Sequence, residues 1–291
     1  MAWLLLGLAA FVLQPPPEPT LPLSSVVRLP SPLLRKGLGL VRTYGLAGAL
    51  RHARTVGLHH VHAALDHRRR AVGAGSDPTA AKAELHDLTV AGEHRAAGVH
   101  YLPTPWRVLD WVHEALPPVD PGWTFLDLGC GKGRALLAAA QRPYGRVVGV
   151  EFAAELAAVA RAAVAACPET VAGSVEVIRD DAARVELPTT PLVVFLFNPF
   201  GPPVIDHVAD RLQASYDEQP RPIVVAYLNP AHAQAFTRQG AFQRVPLARR
   251  LAWRFRLLSP YRLDVLASPE AVPLLTGPRY DLTPARVRPS P

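Results

Sequence analysis

The sequence predicts an α/β protein, a doubly wound parallel sheet behind an N-terminal helical extension. Three observations predict it. Short apolar runs alternate with helical stretches from residue 124 to residue 239. The runs lack the in–out alternation of a half-exposed sheet, so both faces are covered by helices. Distinctive polar residues follow these runs, at the carboxyl ends of strands, where such sheets bind ligands.

Taken in order, TFLDL (124–128) is a strand and RALLAAAQ (134–141) a helix. RVVGVEF (146–152) is a strand, and AAELAAVARAAVAAC (153–167) is a helix ended by Pro168. SVEVIR (174–179) and PLVVFLFN (191–198) are strands, the second the most apolar. PPVIDHVADRLQAS (202–215) is a helix with prolines in its first turn. PIVVAYLN (222–229) is a strand and PAHAQAFTRQ (230–239) a short helix. AFQRVPL and YRLDVLAS read as two further strands, closing as a hairpin. Ahead of the sheet, Val108, Leu109, Val112, Ala115 and Leu116 fall on one helical face. Thr104 is its expected N-cap, with Pro105 at the first helical position and Pro117-Pro118 as the stop.

Residues 14–34 are proline-rich, and 35–70 mix basic and apolar residues at loose helical spacing. GAGSDPT (74–79) is a break, with Asp77 or Thr79 placed to cap a following helix. The chain thus divides into an apolar start and linker (1–34), a basic helical extension (35–99), an α/β domain (100–275) and a flexible tail (276–291). The net charge of +7 is uneven: +5 over 1–104, −3 over 105–246 and +5 over 247–291. Basic ends attract nucleic acid, anionic lipid or acidic proteins. Arginine far exceeds lysine and alanine and proline abound, so GC-rich coding is the simpler explanation. Two cysteines, Cys130 and Cys167, make neither a disulfide framework nor a metal site, which points to a cytoplasmic protein. Ala2–Leu13 is apolar but too short to span a bilayer. No basic residue precedes it and no clear cleavage site follows, so export is not favoured; weak membrane association through the N-terminus and a mis-assigned start codon are the alternatives. His59-His60-Val61-His62 lacks matching Cys, Asp or Glu ligands, so no metal is expected.

The first strand ends in Asp127, followed by Gly129, Gly131 and Gly133. These glycines allow a tight turn and close approach of backbone amides to a ligand. A P-loop is excluded: Gly133, not Ser or Thr, follows Lys132, and Leu126 holds the place of the earlier glycine. A dinucleotide fingerprint is broken by Arg134, which stands where its third glycine belongs. The remaining pattern is D-x-G-x-G-x-G. Its carboxylate would repel a pyrophosphate and suits an ammonium or sulfonium group. Glu151 ends the second strand and can accept from both hydroxyls of a ribose. Arg179-Asp180-Asp181 follows the third strand, where a carboxylate can accept from an adenine amine. The fourth strand ends in Asn198-Pro199-Phe200. There an amide oxygen can accept from an amine, and the ring can pack on a flat or cationic group.

Together these residues resemble the class I S-adenosylmethionine-dependent methyltransferases over roughly 100–250. DLGCGKG is similar to their first motif, Glu151 to the ribose-binding acid, Asp181 to the adenine-side acid and NPF to the fourth motif. The resemblance implies a Rossmann-like, seven-stranded, mostly parallel sheet whose last strand is inserted antiparallel. It implies S-adenosylmethionine as cofactor and Asn198, Pro199 and Phe200 as the catalytic corner. Tyr101, in YLPTP, would lie over the methionine end of the cofactor. YLPTP, FLDLGCGKGRALLAAA, VVGVEF and FNPFG are similar to a bacterial group of unassigned substrate, with a fainter likeness to protein-lysine methyltransferases of this fold. The fourth motif has one proline where enzymes methylating adenine, cytosine or glutamine amides have two. With no separate target-recognition domain, nucleic acid is not favoured as acceptor. The expected acceptor is a nitrogen of a protein or small molecule. The competing readings are a nicotinamide-dependent oxidoreductase and a non-catalytic cofactor-binding module.

Overall fold

The computed structural model describes residues 32–71, Thr79, 103–167 and 175–277. Chain order begins with helix α1 (Pro32–Ala71), interrupted at Gly45, whose φ is 68° and ψ 168°. Helix α2 (Trp106–Ala115) follows, then β1 (Thr124–Leu128), α3 (Arg134–Ala139), β2 (Arg146–Val150) and α4 (Ala154–Ala165). The second half comprises β3 (Val175–Ile178), β4 (Leu192–Phe197), α5 (Pro202–Glu218), β5 (Ile223–Leu228) and α6 (Gln234–Thr237). It closes with β6 (Gln243–Val245), α7 (Arg249–Leu258), β7 (Leu263–Ala267) and α8 (Val272–Thr276).

The seven strands form one sheet in the order β3-β2-β1-β4-β5-β7-β6. β1 to β5 are mutually parallel. β7 enters antiparallel between β5 and β6. Strand order reverses at β1 and β4, so the crevice over their carboxyl ends is the expected binding position.

Both faces of the sheet are packed, which explains the lack of polar alternation. Phe125, Val193, Phe195, Val224 and Ala226 pack on the side of α2 and α3. Leu126, Val194, Leu196, Val225 and Tyr227 pack on the side of α5, against Val204, Ile205, Val208 and Leu212. Each fully buried Leu, Val or Phe contributes about 1.5–3 kcal/mol. The central strands therefore carry much of the stability and form a rigid base for the loops above them.

Two local expectations are corrected. β6 and β7 pair antiparallel, but they are not a hairpin, because α7 lies between them. Only Leu251 and Phe255 of α7 are buried, and the other eight residues of RRLAWRFRLL are four arginines with Ala252 and the exposed Trp253, Leu257 and Leu258, so apolar side chains off the buried face hide its helical period. Thr104 does not cap α2. Pro105 is the N-cap and makes no side-chain cap bond. The Trp106 N–H instead faces the Asp66 carboxylate of α1, 3.3 and 3.4 Å from its two oxygens. Thr79 is fully buried, and its hydroxyl accepts from Arg134 Nε at 3.0 Å. Asp77 and the helix expected after it lie outside the described residues.

Arg134, the residue that breaks the dinucleotide fingerprint, fastens α1 to the sheet domain. It is 4% exposed and donates to Asp66 Oδ2 at 2.9 Å and to the Thr104 carbonyl at 3.0 Å. Its guanidinium lies 5.3 Å from the Trp106 ring centroid. The histidines of α1 serve the same contact. His59 meets the Tyr261 hydroxyl at 2.7 Å, and His62 meets the Leu258 carbonyl at 2.8 Å. Among the described residues no group of His, Cys, Asp or Glu could hold a metal ion. No helix among them is long and apolar enough to cross a membrane.

Candidate functional site

The site is built on the turn between β1 and α3. Gly129, Gly131 and Gly133 have φ of 83°, 56° and 81°, in the left-handed region where a side chain is strained. Gly129 is constrained twice. A Cβ there would also lie 2.6 Å from the Pro199 side chain. The end of β4 thus rests directly on the loop after β1. The N–H groups of Gly129 and Cys130 both bond the Val150 carbonyl, at 2.9 and 3.0 Å. The loop is thereby tied to β2 as well.

Glu151 stands at the end of β2 and is 3% exposed. One carboxylate oxygen accepts from the Gly131 N–H at 2.8 Å, the other from the Ala153 N–H at 2.9 Å. Burial raises its pKa, while the backbone N–H donors oppose the rise. Each oxygen keeps a second lone pair, so Glu151 can brace the loop and still accept from a diol. Asp127 is equally buried, at 3% exposed. Its pKa is raised, chiefly by burial and further by the negative charge of Glu151. Two buried acids close enough to repel make a place that a cationic ligand would stabilise. A pyrophosphate would add to the repulsion.

Asp181 lies in the turn after β3. Its Oδ1 accepts from the Ala183 N–H at 2.9 Å, which fixes the turn. Tyr101 lies outside the described residues.

Asn198 has φ of 41° directly before Pro199. A positive φ on a non-glycine residue costs about 1–3 kcal/mol and persists only where its surroundings enforce it. Part of that enforcement is visible: the Tyr227 hydroxyl donates to Asn198 Oδ1 at 3.2 Å. Phe200 is buried, joins the core beside Val204 and Ile205, and reaches toward Gly129. Asp206 and His207 belong to α5, where Asp206 pairs with Arg238 at the surface.

The structure therefore gathers Asp127, the three glycines, Glu151, Pro199 and Phe200 around one loop, with Asn198 at the adjoining strand end. Two supporting residues were missed. Tyr227 carries no signal in the sequence, because an apolar strand gives it no reason to bond a neighbouring strand end. Asn229 did carry one: Asn-Pro recurs after β5, and Asn229 also has a positive φ of 54°. Its N–H donates to the Arg262 carbonyl at 2.7 Å. Asn198 and Asn229 are the non-glycine residues with positive φ among those described.

Residues 125–215 match a family described as a methyltransferase domain. A nocamycin O-methyltransferase from Saccharothrix syringae is 37% identical over 102 residues, covering 34% of this chain and 34% of that protein. The chain thus aligns with about a third of the length of the curated relative it matches. Among solved structures, an RNA methyltransferase from Salinibacter ruber in complex with S-adenosyl-L-homocysteine aligns at a TM-score of 0.37 and 23% identity. That alignment covers 57% of this chain and 92% of the other. A geranyl diphosphate methyltransferase aligns at a TM-score of 0.39 and 14% identity, covering 57% and 78%. By its matched sequence, the segment from 125 to 215, which carries the glycine loop and strands β1 to β4, is a methyltransferase domain.

Proposed function

We propose that the whole chain is an S-adenosylmethionine-dependent methyltransferase acting on a nitrogen of a protein or small-molecule acceptor. One observation carries the reading. Pro199 rests against Gly129, so the Asn198 corner lies beside the loop that would hold the cofactor. When bound, S-adenosylmethionine supplies a methyl group on a positively charged sulfur. The Gly129–Gly133 backbone would meet its amino-acid end, with the Asp127 charge nearby to favour its cations. Glu151 would accept from the ribose hydroxyls and Asp181 from the adenine amine. Tyr101 would close over the methionine end.

Transfer needs a nucleophile in line with the sulfur–methyl bond, and orientation alone can contribute about 7–11 kcal/mol of barrier lowering. Asn198 would supply that orientation. Its side-chain oxygen has a second lone pair beside the one taken by Tyr227, and it can accept an N–H from the acceptor. Pro199 and Phe200 would form the apolar wall that keeps water from the sulfonium. Asn198 is no base, so a protonated amine must lose its proton to water or to a group of its own. An oxygen acceptor is the second reading, favoured by the name of the nocamycin relative; the same lone pair can accept an O–H.

The oxidoreductase alternative meets a physical obstacle in Arg134. At the position of the third glycine, it is buried in an ion pair with Asp66 and cannot yield space to a dinucleotide. Calorimetry tests the choice directly. S-adenosylmethionine and its demethylated product should bind, and NAD should not; binding of NAD alone would reverse the conclusion. A labelled-methyl screen of cell extract, split into protein, nucleic-acid and small-molecule fractions, would then find the acceptor. Lability of the label in base separates methyl esters from N-methyl products.

A further inference from the structure

Helix α7 presents to solvent a face that the site does not use. Leu251 and Phe255 are its buried residues. Trp253 and Leu257 lie two positions on, about 200° around the helix axis, and so point away from the core. They are 49% and 53% exposed, and Leu258 at the helix end is 52% exposed. Arg249, Arg250 and Arg256 flank this ridge and are exposed. The Arg256 guanidinium lies 5.7 Å from the Trp253 ring centroid. The helix has four arginines and no acid.

α1 lies beside it: Arg54 donates to the Arg256 and Ser259 carbonyls, and His62 meets that of Leu258. α1 has eight Lys and Arg against one acid, Asp66, which is already paired with Arg134. It also exposes Leu46 at 65% and Leu50 at 55%.

We propose that α7, supported by α1, docks the protein on an anionic lipid surface. A tryptophan and leucine ridge bordered by arginines matches the layered chemistry of a bilayer interface, with acyl chains under charged headgroups. Charge complementarity selects this occupant. A second copy would set one basic face against another. A nucleic acid would satisfy the arginines, but Leu257 and Leu258 offer nothing to a phosphate or a base edge. The helix lies flat against its own domain through Leu251 and Phe255, so its outer face would enter the headgroup region without unfolding. Trp253 and Leu257 are not among the residues placed at the transfer site, and the proposal does not depend on which acceptor is methylated.

The test is flotation of the full chain with two vesicle types, one containing phosphatidylglycerol and one of phosphatidylcholine alone. Binding should be confined to the anionic vesicles and should weaken as salt is raised. R249E/R250E and W253S/L257S should each lower vesicle affinity roughly tenfold or more, with S-adenosylmethionine affinity unchanged. Circular dichroism checks the fold, and L257S alone serves if the double variant is unstable. Variants that float like the wild type would overturn the proposal, since binding would then come from elsewhere, such as the apolar stretch 2–13. So would equal binding to both vesicle types, or binding to single-stranded RNA, but not to vesicles, with the same dependence on these residues.

Discussion

The Tyr227 hydroxyl, on β5, donates a 3.2 Å hydrogen bond to the side-chain oxygen of Asn198, at the end of β4. The two strands run parallel with Phe197 opposite Leu228, so the bond spans neighbouring strand ends. It fixes the amide of a residue held at an unfavourable φ of 41°. Burial raises the Tyr227 pKa, so the phenol stays a donor through the physiological range.

Tyr227→Phe should therefore leave S-adenosylmethionine affinity intact and lower kcat roughly three- to tenfold, the worth of one hydrogen bond. Asn198→Ala removes the oxygen proposed to orient the acceptor and should lower kcat by about tenfold or more. Single-turnover kinetics alongside calorimetry would check both. Loss of cofactor affinity in Asn198→Ala, with kcat unchanged, would move Asn198 out of the acceptor side.

Gly129→Ala should abolish measurable cofactor binding. The added methyl meets Pro199 at 2.6 Å on a backbone with φ of 83°. Moving either partner disturbs both the glycine loop and the Asn198 corner. Normal affinity with normal thermal stability would show that the loop is looser than its contacts imply.

Glu151→Ala should weaken cofactor affinity by about tenfold or more, because it removes the acceptor for two backbone N–H groups as well as the acceptor proposed for the ribose. The Gly131 N–H bond at 2.8 Å makes the effect partly one of loop order. Amide exchange at Gly131 should rise in this variant even without ligand. An unaltered exchange rate would confine Glu151 to direct ligand contact.

With Asp127 beside the cofactor as proposed, its raised pKa should make cofactor affinity depend on pH. A cationic ligand favours the ionised carboxylate, so affinity should rise with pH above the ordinary carboxylate range, and binding should release protons. Calorimetry in buffers of different ionisation enthalpy measures that release. Asp127→Asn should lower affinity and flatten the dependence; a slope retained in the variant would assign it to another group.

His113 gives the fold a separate pH response. It packs on α2 beside Phe125 and Tyr144, and burial, with a smaller contribution from Arg142, lowers its pKa to about 3. A folded-state pKa below the ordinary value of about 6.5 means that the unfolded chain takes up the proton first. Its contribution is intact above about pH 6.5 and is lost as pH falls toward 3, at up to about 1.4 kcal/mol per pH unit. Denaturant titrations across that range should show the slope in the wild type and a shallower one in His113→Phe. Identical slopes would refute the assignment.

By itself the sequence determined the sheet and the positions of its chemistry. Apolar runs such as LVVFLF, short, rich in β-branched and aromatic residues and bounded by prolines, read as strands buried on both sides, and D-x-G-x-G-x-G suits a turn that tolerates positive φ. Those are local constraints, written in consecutive residues. The tertiary structure alone decided what those residues touch. Glu151 bracing Gly131, Pro199 pressing on Gly129 and Tyr227 holding Asn198 join residues 20 to 70 positions apart. No spacing rule encodes such pairs. The same holds for Arg134, whose burial against Asp66 and Thr79 turned a broken motif into the fastening of the N-terminal helix. It holds for α7, whose two buried residues lie hidden among arginines until the sheet supplies the surface they pack on. Local propensity sets strands and turns, but burial and hydrogen bonding between distant segments set the site, because only packing brings those atoms within reach.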